Sequence, residues 1–125
     1  MIEIHAITFD AADPYEIASW WSRATGLPLE EGARPGDEMV MLRTKQDPFV
    51  LFLRVPEGKA VKNRVHLDVN GTEERSRDQE VERLVGLGAT IYDDLRQPDG
   101  TGWVVMLDPE GNEFCVCRSP AERGQ

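Results

Sequence analysis

The side chains of this chain that could do chemistry sit on alternating positions of two short segments. His66 and Asp68 stand two residues apart, with Arg64 two before them, and Glu113, Cys115 and Cys117 repeat the same spacing. In a strand, residues of one parity share a face, so each set projects from one side of its segment. An imidazole titrates near neutral pH, which makes His66 the natural acid or base, with Asp68 on the same face to assist. The guanidinium of Arg64, placed beside Cys115, would favour a reactive thiolate. By the same parity rule Thr8 and Asp10 of the first strand belong to the polar face. The face expected to meet a ligand therefore carries Thr8, Asp10, Arg64, His66, Asp68, Glu113 and Cys115, with Cys117 beside them. Two outcomes are open for so polar a face: its charges neutralise one another near a rim, or they contact a ligand. No phosphate loop, nucleophile elbow or Cys-x-x-Cys motif accompanies them.

A metal centre is the competing chemistry. His5, His66 and Glu113 offer two imidazoles and a carboxylate, a set suited to ferrous iron or another divalent ion. Parity argues against it, because His5 shares the phase of Ile7, Phe9 and Ala11, the apolar set that should meet a helix. Cys115 and Cys117 are neighbours on one strand face, a placement that strains against a mutual disulfide.

The elements that must position these groups occur twice. Residues 1 to about 57 and about 61 to 118 each read as strand, helix and three strands, followed by a polar tail at 119–125. Met39-Val40-Met41-Leu42 is echoed by Val104-Val105-Met106-Leu107, and Phe49 by Phe114. The separation is 58 from Phe9 to Leu67, 62 from Gly26 to Gly88, and 65 from Phe49 to Phe114. Asp13-Pro14-Tyr15-Glu16 supplies an N-cap, a proline at the first helical position and an acid in the first turn. That helix presents Ile17, Trp21 and Ala24, with Ala18 and Trp20 beside them, and ends at Gly26. Strands are expected over 2–10, 29–34, 38–43 and 49–55. In the second copy they are expected over 64–69, 89–95, 102–107 and 113–117. The second helix is expected over about 72–87 with Val81, Leu84 and Val85 inward. Trp20 and Trp21 are assigned to the core. Trp103, beside Gly100 and Gly102 on a loop that two glycines would leave mobile, is a candidate ligand-stacking wall. Each half-sheet must cover an open face, so a ligand groove is expected between the two modules.

The ordered pair of modules resembles the vicinal oxygen chelate superfamily, in particular its glyoxalase-like and bleomycin resistance protein-like branch. The likeness rests on the helix ending in Gly26-Leu27, the Leu84-Val85-Gly86-Leu87-Gly88-Ala89 stretch and the Asp108-Pro109-Glu110-Gly111-Asn112 turn. It implies an α+β fold of two tandem βαβββ modules whose curved mixed sheets enclose a cavity. It does not settle function, since members include glyoxalase I, extradiol dioxygenases, a fosfomycin-inactivating transferase and metal-free bleomycin-binding proteins. Metal-dependent members carry His, Glu or Gln on the first and fourth strands of each module. Counted by family spacing, those positions fall on Ala6, Val50, Arg64 and Cys115, and only the thiol could bind an ion. The same count sets His66 and Glu113 about 13 Å apart along their strands. The resemblance with these residues implies a small-molecule binder without the usual catalytic metal or other cofactor. A divalent metal enzyme of lyase, isomerase or dioxygenase type is the alternative, and a non-catalytic interaction domain the third reading.

Composition narrows the partners. With 23 acidic against 14 basic residues the net charge is −9, a field that repels nucleic acid and anionic lipid. No apolar run is long enough to span a bilayer, and the opening Met1-Ile2-Glu3-Ile4 has no secretory signal pattern. A cytoplasmic protein is expected. Exposed strand edges, with the superfamily habit of pairing or swapping modules, make a homodimer the expected assembly.

Overall fold

The computed structural model describes all 125 residues, which form two compact units, Met1–Gly58 and Lys59–Gln125. Both follow one plan in an α+β architecture. In the first unit, β1 (Ala6–Ala11) leads into α1 (Pro14–Thr25), followed by β2 (Met39–Leu42) and β3 (Phe49–Arg54). The second comprises β4 (Asp68–Asn70), α2 (Arg77–Gly86), β5 (Thr90–Asp94), β6 (Val104–Leu107) and β7 (Glu113–Cys117). No helix is long and apolar enough to cross a membrane.

The first sheet has the order β1-β3-β2, with β1 parallel to β3 and β2 antiparallel to it. The strand expected over 29–34 is reduced to a single antiparallel bridge, Leu29 to Leu42, beside the bond from the Glu30 N–H to the Met41 carbonyl. Gly32 and Gly36 adopt φ of 81° and 90°, a left-handed backbone that ends pairing in favour of turns. Helix α1 begins as its sequence dictates, the Asp13 carboxylate accepting from the Glu16 N–H, and ends with Gly26 left-handed at φ 76°. It buries Ile17, Ala18, Trp20 and Trp21, so both helical tryptophans are core. Val40 and Phe52, directly paired across β2 and β3, are buried on the same sheet, and the Phe9 and Phe52 rings lie 5.4 Å apart.

The second sheet runs β4-β7-β6-β5, with β4 and β7 parallel and the other pairs antiparallel. Its dry face holds the pairs Val104–Val116 and Met106–Phe114, all almost completely buried. Helix α2 starts five residues later than expected, because a reciprocal capping box forms between Ser76 and Gln79. Val81 and Leu84 are buried, whereas Val85 is half exposed and not inward as expected. The strand expected over 64–69 begins only at Asp68, and Val65 before it is exposed. At the hairpin between β6 and β7, the Asp108 carboxylate accepts from the N–H groups of Glu110 and Asn112 and from the Asn112 side-chain amide. The polar tail closes a turn, its Glu122 accepting from the N–H groups of Arg77 and Ser119.

The strand registers give the internal repeat a different phase. Val40–Phe52 in the first unit corresponds to Val104–Val116 in the second, and Leu42–Val50 to Met106–Phe114, so the offset is 64 and not 65. The parallel pairs Thr8–Leu51 and Asp68–Cys115 are likewise equivalent, which puts the first strands 60 apart rather than 58. A one-residue slip in a strand turns every side chain to the other face. The first-module counterpart of Cys115 is therefore Leu51, not Val50, and the counterpart of Asp68 is Thr8.

Candidate functional site

Three side chains converge on the second sheet, on the face opposite Phe114 and Val116. The Nδ1 atom of His66 lies 3.4 Å from the Asp68 carboxylate and 3.8 Å from the Cys115 sulfur. One donor atom from each of the three lies within 4.8 Å of the others. The backbone holds them there: Asp68 and Cys115 are direct partners across the parallel β4–β7 pair, and the Cys115 N–H donates to the Leu67 carbonyl. His66 is two residues before Asp68 and so shares its side. Cys115 forms the buried floor, while the His66 and Asp68 side chains remain 39% and 64% exposed, leaving the cluster open to solvent.

The register corrects three expectations. Arg64 was to stand beside Cys115; Asp68 occupies that place, and Arg64 lies in an exposed bend before the strand. Burial, followed by the Asp68 carboxylate, pushes the Cys115 thiol up to about 11, the reverse of the activated thiolate. Burial and then Asp68 raise the neighbouring Cys117 thiol as well. Counting back two residues from Asp68–Cys115 sets His66 level with Glu113, not about 13 Å away along the strands.

Glu113 is nonetheless outside the cluster. Its carboxylate is buried and accepts from Lys59 Nζ at 2.9 Å and from the Asn63 N–H at 3.0 Å, so it fastens the segment before β4 to the start of β7. Burial works against its ionisation, but the Lys59 and Asn63 hydrogen bonds outweigh this and hold the carboxyl below its ordinary range. Thr8 and Asp10 belong to the first unit, where they are exposed on β1 and alternate with the more buried Ile7, Phe9 and Ala11. His5 precedes β1 and sets its ring edge-on to Phe49 at 6.0 Å. Trp103 is 45% exposed just before β6.

The loop carrying Trp103 is pinned by a residue that sequence patterning passed over. The buried Arg77 guanidinium, at the start of α2, reaches the carbonyls of Gly100, Thr101 and Gly102 through one nitrogen at 2.9–3.1 Å. A buried charge needs such partners, and the loop expected to be mobile is tied to the helix. The sequence signal was an arginine directly after the Ser76 cap, a position that points back along the helix end.

The glyoxalase-like domain family matches residues 6–117, and the chain belongs to that family within the vicinal oxygen chelate superfamily. No curated protein sequence matches it. Among solved structures it is similar to a glyoxalase/bleomycin resistance protein/dioxygenase family enzyme from Burkholderia phytofirmans PsJN (TM-score 0.73, 17% identity, 94% of this chain and 98% of that one). It is also similar to the hypothetical protein SA1046 from S. aureus (0.70, 19%, 94% of each). TioX from Micromonospora sp. ML1 is a third (0.63, 21%, 94% and 98%). At these identities the likeness is one of fold.

The residues here do not fit the metal set that the superfamily implies. On the faces opposite the two cores, the paired first-strand and last-strand positions are Thr8 with Leu51 and Asp68 with Cys115. Leu51 has no donor atom, and the first module supplies neither imidazole nor carboxylate at that pair.

Proposed function

We propose that this chain is a glyoxalase-like protein that binds a small organic molecule against the polar face of its second sheet, without the His, Glu and Gln ligand set of metal-dependent relatives. One observation carries the reading. The second sheet devotes one face to a dry core of Val104, Met106, Phe114 and Val116, and on the other presents His66 and Asp68 to solvent above Cys115. Such a face offers a hydrogen-bonding imidazole, an acceptor carboxylate and an apolar sulfur floor, the mixture that small-molecule sites use. For acid–base work on a bound ligand, the His66 imidazole is the proton-transfer group and the Asp68 carboxylate, 3.4 Å from its Nδ1, the group that orients it.

The test is amide NMR on metal-stripped protein with bleomycin and a fragment library as probes. Saturable shifts confined to residues around His66, Asp68 and Cys115, and lost in His66→Ala, are expected. Probes that bind only elsewhere, or equally well to His66→Ala, would sink the reading. The alternative of a metal-dependent enzyme is favoured by the convergence of three donor atoms of different chemistry in one small volume.

A further inference from the structure

We infer that the polar face of the second sheet takes an elongated organic dication, a diamine or diamidine whose apolar middle lies across Cys115 and Val105 and whose ends meet Asp68 and Asp93. This deepens the small-molecule reading above and rests on it. The strand registers place the four residues in one row. Asp68 pairs with Cys115 across β4 and β7, Cys115 with Val105 across β7 and β6, and Val105 with Asp93 across β6 and β5. Residues directly paired in a sheet project to the same side, so the row crosses the face opposite Val104 and Val116. Three strand spacings separate its ends, about 14 Å. A bulge completes the row: the register of β5 shifts between Ile91 and Asp93, so that Asp93 and not Tyr92 faces Val105.

Between the two acids the strip is apolar. Cys115 is buried and Val105 half-buried, while Leu107 and Trp103 share the parity of Val105. Trp103 is 45% exposed on the loop whose carbonyls the Arg77 guanidinium holds, and its ring offers a flat wall to a cationic or aromatic group. The charges at the two ends are uncompensated. Asp68 and Asp93 are exposed and form no ion pair with a lysine or arginine; Asp68 has the His66 imidazole and the Cys115 thiol beside it. Asp94, on the other side of β5, is by contrast bonded to Arg96 at 2.6 Å, and Glu113 is neutralised by Lys59. The two thiols sense the sign of the field. After burial, Asp68 raises the pKa of both Cys115 and Cys117, and the opposing pull of Lys62 on the first and Arg123 on the second is weaker. A strip that disfavours thiolate disfavours other anions and favours a cation, and the net charge of −9 acts in the same direction.

The experiment is an amide NMR titration of the full chain with one skeleton in three charge states. These are diminazene, which carries an amidinium at each end, the uncharged diphenyltriazene, and the corresponding dicarboxylate. Diminazene should give saturable shifts at 66–68, 92–94, 103–105 and Cys115, with an affinity at least about tenfold above that of the uncharged skeleton. The dicarboxylate should give none. Asp68→Asn and Asp93→Asn should each weaken diminazene at least about tenfold. Glu82→Gln, which removes the same charge from an exposed position on α2, should bind as the parent does. As a measurement that needs no variant, raising the salt from low to physiological should weaken diminazene and leave diphenyltriazene unchanged. Equal affinity for the charged and uncharged skeletons would overturn the inference, as would full affinity in Asp93→Asn or diminazene bound only elsewhere. The reading it rests on is scored separately by the bleomycin and fragment probes. Uncharged fragments bound at His66 would leave that reading standing while the dication fails, and no probe of any charge at His66 would remove both.

Discussion

The two modules share a backbone plan but differ at equivalent pairs. Thr8 beside Leu51 in the first corresponds to Asp68 beside Cys115 in the second, and Ala6 in the first corresponds to His66. One sheet thus carries a methyl, a hydroxyl and an isobutyl group where the other carries three groups able to bind a proton or an ion. The sequences beneath are alike: Val40–Phe52 and Val104–Val116 build the cores in the same way. The lesson is that the fold's shared geometry and the site's chemistry are separable, because strand alternation lets one face vary while the other stays packed.

The strongest way to sharpen this contrast is to erase it. Ala6→His/Thr8→Asp/Leu51→Cys copies the second-module triad onto the first at the registered positions. By amide NMR, probes that bind at His66 in the parent should then bind at two places, the second being lost in the variant that keeps Leu51. A folded variant that still binds the probes at one place would show that the modules differ in more than side chains. On the packed face the expected effect is next in size. Phe114→Ala should cost roughly 3–5 kcal/mol by removing a fully buried ring, whereas Leu51→Ala, half-buried on the first sheet, should cost less than half as much. Urea denaturation of the two variants measures the difference, and equal costs would contradict the assignment of dry faces.

Reactivity tests the site itself. With its thiol pushed up to about 11 by burial and then Asp68, Cys115 in metal-free protein should alkylate roughly ten- to a hundredfold more slowly than a free thiol at pH 8. Peptide-resolved mass spectrometry would reveal it, and a rate at or above the free thiol's would mean the thiolate is stabilised after all. Glu113→Gln should cost on the order of 2 kcal/mol, since charge-assisted hydrogen bonds from Lys59 and Asn63 are weakened or lost. Because the Glu113 pKa is lowered on folding, its contribution is fully present above the ordinary carboxylate pKa of about 4.5 and is lost as pH falls through the lower folded value. The stability gap between parent and variant should therefore narrow below about pH 4.5, and a gap that widens on acidification would reverse the sign.

How much of this was legible in the sequence follows from which signals are local. The α1 cap at Asp13-Pro14 and the glycine stop at Gly26 are short-range chemistry, and they were read correctly. The duplication was visible too, yet its phase was missed by one residue at the later strands and by two at the first. β3 reads Phe-Val-Leu-Phe-Leu and β7 is shielded on both faces over most of its length, so neither run alternates enough to reveal which side is inward. His66, Asp68 and Cys115 each stand out in the sequence as candidate site residues, but their meeting depends on the parallel register of two strands 47 residues apart. Family spacing put Arg64 where Asp68 stands, because the alternation Val65, Leu67, Val69 looks like a strand, although Val65 is 72% exposed and lies before pairing begins.

The smallest expected effect lies at the helix starts, where the modules again solve one problem differently. The first helix is capped by Asp13, whose carboxylate accepts from the Glu16 N–H at 3.3 Å, with Pro14 removing one donor that needs no partner. The second uses Ser76 and Gln79 reciprocally, and Glu122 from the tail accepts from the Arg77 N–H at 2.8 Å. Asp13→Ala and Ser76→Ala should each cost about 1 kcal/mol. The difference should emerge in combination. Glu122→Ala removes the carboxylate that also holds the Ser119 N–H, so with Ser76→Ala it leaves the start of α2 short of two acceptors. The pair shares one helix end, and its cost should exceed the sum of the single costs. Strict additivity in urea denaturation would mean that the tail does not cap α2 and that Arg77 is positioned by the loop carbonyls alone.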